Sequence, residues 1–337
     1  MLVGLLILWL LGNLIVNTSD FINVLLIGLT NGAVYGLVAL GYTLVYGILQ
    51  LINFAHGDVF ALSGLVAFSF LIDWWGVGEG TSTAVAIGTL ILCLLLTMPL
   101  FAGGNAFIEF VAYRRLRNAP RLAPLITAVG VSFIVQNVSL AVYDTGSHGA
   151  QELLPRGEIF DIGGVTYQWN KLVVILIVIP LLIGLTWFVR STRQGKGMRA
   201  TAQDRDAAAM MGINVNRTIS VTFALAGALA AAGGLLFLLQ FNMRFDTGFQ
   251  MGLIAFTAAV LGGIGNLTGA VVGAVVIGLI ESFNEGLRWN HPLDGGFFFP
   301  DLGAPSDWTR AVIFAILIAI LVFRPEGLLG ERTPEGA

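Results

Sequence analysis

The chain has 337 residues, of which 56% are hydrophobic and only 11% charged, with a formal net charge of −3. A soluble domain carries about 25% charged residues, so this chain has too few to clothe a surface in water and is read as a polytopic membrane protein. Its apolar runs are long and unbroken, as in "LVVILIVIPLLIGLTWFV", whereas the strands of a membrane barrel alternate apolar and polar residues; the expected fold is therefore an all-α transmembrane helical bundle.

A spanning helix needs about 20 mostly apolar residues. Candidate segments, in chain order, are 2–16, 23–49, 57–72, 84–110, 124–143, 171–189, 218–241, 250–264, 267–284 and 310–323. The first is short and lacks the positive flank of a cleaved signal, so it is read as a retained span. Segment 23–49 is too long for one straight helix and is rich in Gly, Asn and Thr. It is open to being kinked, broken or partly re-entrant, which buried surroundings tolerate. The pair 250–284, interrupted by "GGIGNLTG", has the same ambiguity. The bundle is expected to have about eight to ten spans.

Two runs place glycine at every fourth residue: Gly28, Gly32 and Gly36, and Gly265, Gly269 and Gly273. That spacing makes a groove in a helix where a second backbone approaches closely. Packing inside the bundle is the plainer reading, and a subunit contact is the other.

Orientation follows from Lys and Arg near the span ends. "YRRLRNAPR" (113–121) and the loop 190–217 are the basic loops, and with Arg324 and Arg332 of the tail they hold twelve of the seventeen basic residues. If they are cytoplasmic, so are both termini. Loops 144–170 and 285–309 are then external, and they carry eight of the twenty acids. Glu281, near the outer end of its segment, is expected to pair with Arg288 or to face a polar cavity.

Chemistry-bearing patterns are sparse. Cys93 is the single cysteine and lies in an apolar run, which leaves no intrachain disulfide and no thiolate metal site. His56, His148 and His291 are far apart in sequence and form no zinc motif. Lys196, in "QGKGM", lacks the P-loop flanks, and no G-x-S-x-G nucleophile motif occurs. Neither a bound metal nor a cofactor is expected, nor a nucleic-acid partner. Work done against a gradient has to be powered by something other than this chain.

Within the larger basic loop stands "QDRDAAAMMG" (203–212). Asp206 is suited to cap a helix and to meet its positive end. Ala207 and Ala208 favour helix, and Gly212 suits a left-handed stop. A helix of under two turns is unstable alone in water, so it has to lean on something. Ala207, Met210 and Met211 share one face, and methionine adapts well to a contact surface. The face either docks into a groove on another protein or packs back on the bundle's own ends. "LINFAHGDV" places Asn53, His56, Gly57 and Asp58 near the same membrane face. They read as a turn or gate near a pathway exit, protonation-sensitive through His56. Alternatively they form a capping turn, in which Asn53 and His56 satisfy freed backbone groups and Asp58 opens the next helix. In 124–143, Ser132, Gln136 and Ser139 share a face with Asn137 beside it. They either line a path or hydrogen-bond between helices.

"DAAAMMG" resembles the D/E-A-A-x-x-x-G core of the loop by which permeases of ABC importers contact their ATPases, although the Ile-x-Leu-Pro usual downstream is replaced by "INVNRTISVTFALAG". "LTNGAVYGLVALGYTLVYGILQLINFAHGDVFALSG" (29–64), "AVLGGIGNLTGAVVGAVVIGLIE" (259–281) and "FRPEGLLG" (323–330) are similar to the high-affinity branched-chain amino acid permeases of the LivH type. The resemblance covers roughly residues 21–330. It implies an importer of several subunits in a bacterial or archaeal plasma membrane. A second, similar permease would stand beside this one. Two cytoplasmic ABC ATPases would bind the ATP and receive the short helix, and an extracytoplasmic amino-acid-binding protein would deliver the substrate. Permeases for urea or short amides share the architecture and are the nearest alternative. An ATP-independent channel or facilitator is the rival from another class.

Overall fold

The computed structural model describes residues 2–78, 80–117, 119–120, 122–154, 157–287, 305–324 and 326–330. Its helices are α1 (Leu2–Val16), α2 (Thr18–Leu49), α3 (Ala55–Phe68), α4 (Thr83–Ile108), α5 (Leu122–Tyr143), α6 (Trp169–Ser191), α7 (Arg193–Gln203), α8 (Arg205–Met210), α9 (Val215–Leu238), α10 (Thr247–Gly262), α11 (Leu267–Gly286) and α12 (Pro305–Phe323). A π-helical stretch, Ser69–Trp74, extends α3. Another, Glu109–Tyr113, followed by the 3₁₀ turn Arg114–Leu116, extends α4. Among the described residues, seven helices are long and apolar enough to cross a membrane: α2, α3, α4, α5, α6, α9 and α11, with the extensions of α3 and α4 included. The shorter α10 and α12 are also apolar. Each candidate segment from the sequence coincides with one helix.

The question over segment 23–49 is settled in favour of one unbroken helix. At 32 residues, α2 is about 48 Å long at 1.5 Å per residue, so it exceeds the hydrocarbon thickness of about 30 Å. It persists because it sits at the centre of the bundle. Tight partners on most sides cover its Gly, Asn and Thr positions, and α9 is enclosed in the same way. By contrast α4, α5 and α6 bury a single stripe and turn large apolar side chains outward, among them Leu95, Phe133 and Leu176. A bundle in lipid needs such an outer coat.

Gly28 and Gly32 make the close approach foreseen for them, and the partner is α11 of the same chain. A Cβ on Gly32 would stand 2.7 Å from Val275 Cα, and one on Gly278 would stand 2.4 Å from the Gly32 nitrogen. The two helices run antiparallel with backbones in contact, as small-residue seams allow. Gly36 has more room, with Ala274 Cβ 3.8 Å from its would-be Cβ. Gly269 and Gly273 seat α11 against α10. Gly265 departs from the expected helical row: it lies before α11 begins, in the link 263–266, at φ +94°.

The basic residues Arg114, Arg115, Arg117, Arg190, Arg193, Lys196, Arg199, Arg205, Arg217 and Arg324 gather at the ends of α4, α6 and α12, in α7 and α8, and at the start of α9. The opposite end carries an element absent from the sequence reading, the antiparallel hairpin of β1 (Glu158–Ile162) and β2 (Val165–Gln168). It docks on the start of α2: Asn23 Nδ2 donates to Gly164 O (2.9 Å), and Thr166 N donates to Asn23 Oδ1 (2.9 Å). A backbone bridge between His148 and Met243 ties the segment before the hairpin to the link after α9.

The tail closes the basic end. Gly263 N donates to Ala259 O and Val260 O, Leu328 N to Leu261 O (2.8 Å), and Leu329 N to Gly262 O (3.0 Å). The last four carbonyls of α10, which no intrahelical donor can reach, are all satisfied in this way.

Candidate functional site

The short helix is built by its caps. Thr192 caps α7 by accepting from Gly195 N at 3.0 Å. Asp204, not Asp206, caps α8: its Oδ1 accepts from the N–H groups of Asp206 (2.8 Å) and Ala207 (2.9 Å). Either aspartate has the chemistry for the task, and the extended backbone at Asp204 decides between them. Asp206 instead lies in the first turn, where its charge suits the positive end of the helix dipole. Gly212 leaves the helix at φ +80°, a conformation that glycine adopts without steric cost. Asn214 then caps α9 through Arg217 N at 3.0 Å.

Ala208 is the residue α8 presents to the bundle, and Ala207 is half-buried. Met210 and Met211 are 82% and 83% exposed. The methionine pair therefore does not pack back on its own bundle. Arg205 holds the helix in place by donating from Nη2 to Ile48 O at the end of α2 (2.8 Å).

Behind α8 lies a charged cluster that sequence reasoning missed. Glu109, fully buried, receives Arg114 Nη2 (3.2 Å), Ser220 Oγ (2.6 Å) and Arg117 Nη2. Arg117 also donates to Asn216 Oδ1, and Arg114 to Ser220 Oγ (2.7 Å). The cluster locks the end of α4 to the first turns of α9, one link beyond α8. The available signal was a lone acid at the end of an apolar run, followed at +5 and +8 by arginines that a π-helical turn brings back onto it.

The "NFAHGD" residues come together with partners from several helices, and the capping reading does not hold in detail. The residue before α3 is Phe54, without a side-chain cap bond. Asn53 Oδ1 accepts from Tyr113 Oη (2.7 Å). His56 Nε2 lies 3.3 Å from Val38 O, and its ring stands edge-on to Tyr42. Gly57 faces Gly248 of α10 so closely that an added Cβ would be 2.3 Å from the Gly248 oxygen. Asp58 accepts a short hydrogen bond from Ser132 Oγ of α5. All four signature residues are buried. They form a knot joining α2, α3, α5, α10 and the end of α4.

The polar set of α5 divides. Ser132 and Ser139 are buried; Ser139 bonds its own helix at Val135 O (2.9 Å). Gln136 is half-buried, and Asn137 is exposed and bonds Phe133 O (2.8 Å). Glu281 accepts from Tyr35 Oη at 2.6 Å. Its expected partner Arg288, like most of 285–309, lies outside the described residues.

Residues 24–321 match the family described as branched-chain amino acid transport system / permease component. This chain belongs to that family. It is 35% identical over 312 residues to the high-affinity branched-chain amino acid transport system permease protein BraD of Pseudomonas aeruginosa, covering 91% of this chain and 95% of that one. It is 34% identical over 316 residues to the permease protein LivH of Escherichia coli K12, again covering 91% and 95%. A probable branched-chain amino acid transport permease of Methanocaldococcus jannaschii is 28% identical over 307 residues, covering 87% of this chain and 88% of that one. The chain is thus a multi-pass membrane permease, a transport subunit and not an enzyme. In this permease the two stretches 259–281 and 323–330 touch through the tail pairing at Leu261 and Gly262.

Proposed function

We propose that this permease is the membrane-spanning subunit of an ABC importer that carries branched-chain amino acids inward. The observation that carries the reading is the likeness, along nearly the whole of both chains, to permeases named for that substrate. The basic end faces the cytoplasm, by the excess of Arg and Lys there, and both termini lie on that side of a bacterial or archaeal plasma membrane. The helix α8, with Met210 and Met211 outward, suits a groove on an ABC ATPase. ATP is bound by two such subunits and not by this chain. A second permease stands alongside, and an extracytoplasmic binding protein delivers the amino acid to the opposite end. In this assembly Asp206, Ala207, Ala208 and Gly212 shape the docking helix, and the outward polar side of α5, with Gln136 and Asn137, faces the path or the second permease.

The test is reconstituted uptake with candidate binding proteins and a panel of leucine, isoleucine, valine, urea and short amides. ATP-dependent uptake of the branched-chain amino acids is expected. Uptake of urea or amides alone would reassign the substrate, and uptake without ATPases would make the chain a facilitator.

A further inference from the structure

A cavity of about 310 Å³ opens at the end of the bundle opposite the basic loops. Sites for small molecules start at about 300 Å³. Its polar lining includes Asn31, Lys171, Gln240, Ser282 and Glu285, with Gln168 and Asn170 beside them, and Val24, Ile27 and Phe241 supply an apolar wall. Two features set it apart from a packing defect. Asn31 Oδ1, Gln240 Nε2 and Ser282 Oγ have no hydrogen-bond partner, although Asn31 and Ser282 are each only 6% exposed. Buried polar atoms are normally paired, so three orphans along one cavity call for an occupant. Further, Lys171 and Glu285 line the same cavity yet form no salt bridge with each other, nor does Lys171 with any described carboxylate. Glu285 Oε1 accepts from Thr309 Oγ1 (3.0 Å), leaving the other carboxylate oxygen for a ligand. Glu281, one turn earlier, is engaged by Tyr35.

We infer that this cavity is a recognition site within the permease itself for a free zwitterionic amino acid with a small apolar side chain. The Lys171 ammonium takes the ligand's carboxylate and Glu285 takes its ammonium. Asn31, Gln240 and Ser282 supply the remaining hydrogen bonds, and Val24, Ile27 and Phe241 meet the side chain. A ligand carrying both charges pairs with the half-buried Lys171 and the exposed Glu285 alike, whereas neutral urea or an amide pairs with neither. The inference rests on the permease reading above for the direction in which the ligand travels.

The test uses the complete transporter in lipid nanodiscs, without binding protein or ATP. Equilibrium binding of radiolabelled leucine is measured in competition with leucinamide, which lacks the carboxylate, and 4-methylpentanoate, which lacks the amine. The wild type is expected to bind leucine and to prefer it to both competitors. Lys171→Met should weaken leucine about tenfold or more, about 1.4 kcal/mol, and leave leucinamide unchanged. Glu285→Gln should weaken leucine similarly and leave 4-methylpentanoate unchanged. Lys171→Arg, which keeps the charge, should retain leucine binding and so separates loss of charge from loss of fold. No leucine binding by the wild type, unchanged binding by both neutral variants, or equal loss of leucine and its analogues would overturn the inference. ATP-driven leucine uptake with binding protein present is measured alongside. If that uptake persists while the cavity variants behave as wild type, the cavity assignment fails and the importer reading stands. If leucine is not transported at all, the importer reading fails.

Discussion

Ser132 of α5 donates its hydroxyl proton to the buried carboxylate of Asp58 in α3. The other carboxylate oxygen, Oδ1, has no partner. This one bond therefore ties α5, most of whose surface faces outward, to the four-residue knot at the centre of the bundle. Ser132→Ala leaves Asp58 without its donor, and a buried acceptor stripped of its partner costs about 1–3 kcal/mol. Thermal unfolding in detergent should show the loss. Asp58→Asn, which removes the charge while keeping an acceptor, should lose less in the presence of Ser132. Equal stability of Ser132→Ala and wild type would refute this.

The Glu109 cluster makes a sharper energetic claim. Removing Glu109 strands Arg117, and stranding a buried charge costs up to about 3–5 kcal/mol; removing Arg117 costs less, because Arg114 and Ser220 still serve Glu109. Glu109→Gln and Arg117→Met should each lower the unfolding midpoint, and the double variant should recover some of the loss. A double-mutant cycle with no coupling between the two positions would mean that the pair does not act as a unit.

At the docking helix, Asp204→Ala removes the acceptor for two N–H groups, and loss of such a cap costs about 1 kcal/mol. Co-purification with the ATPases should fall about fivefold. Met210→Asp together with Met211→Asp should weaken it further, while both variants insert into membranes as wild type does. Gly212→Val and Asp206→Lys should act in the same direction. Undiminished ATPase recovery with all of them would remove α8 from the contact.

The α2–α11 seam predicts steric intolerance. Gly32→Val places a branched side chain where even a Cβ would stand 2.7 Å from Val275 Cα. Overpacking of this kind costs about 1–3 kcal/mol, and here it has to push one helix backbone away from another. Gly36→Ala, at a site with 3.8 Å of clearance, should be tolerated. The two variants are compared by yield of monodisperse protein and by unfolding midpoint.

The helices were legible in the sequence because each apolar run has only one solution in lipid. What periodicity leaves out is the neighbour. Whether the Gly, Asn and Thr of α2 would break it depended on α11 and α9 covering them, and those lie hundreds of residues away in the chain. The α8 helix and its glycine stop were readable from local residues, but the cap fell on Asp204 and not on Asp206, since two aspartates so close offer the backbone a choice that only its extended angle at 204 resolves. Local sequence leaves Asn53 and His56 either a gate or a capping turn, and their side chains reach beyond their own turn to Tyr113 and Val38. The hairpin 158–168 escaped notice because its strands are short and their partner surface is the polar side chain of Asn23. Glu109, Lys171 and Glu285 acquire meaning only from partners or cavities assembled across the fold.

The tail pairing also has a consequence for biogenesis. The elbow between α10 and α11 emerges from the ribosome some sixty residues before Leu328 and Leu329, the donors that its two open carbonyls await. Until Leu328 and Leu329 are synthesised, those carbonyls must be held by water or lipid headgroups, so the elbow is sealed only by a segment made well after it. A stop codon just after Arg324 would leave that latch undone, whereas a tag fused beyond Gly330 would leave it shut.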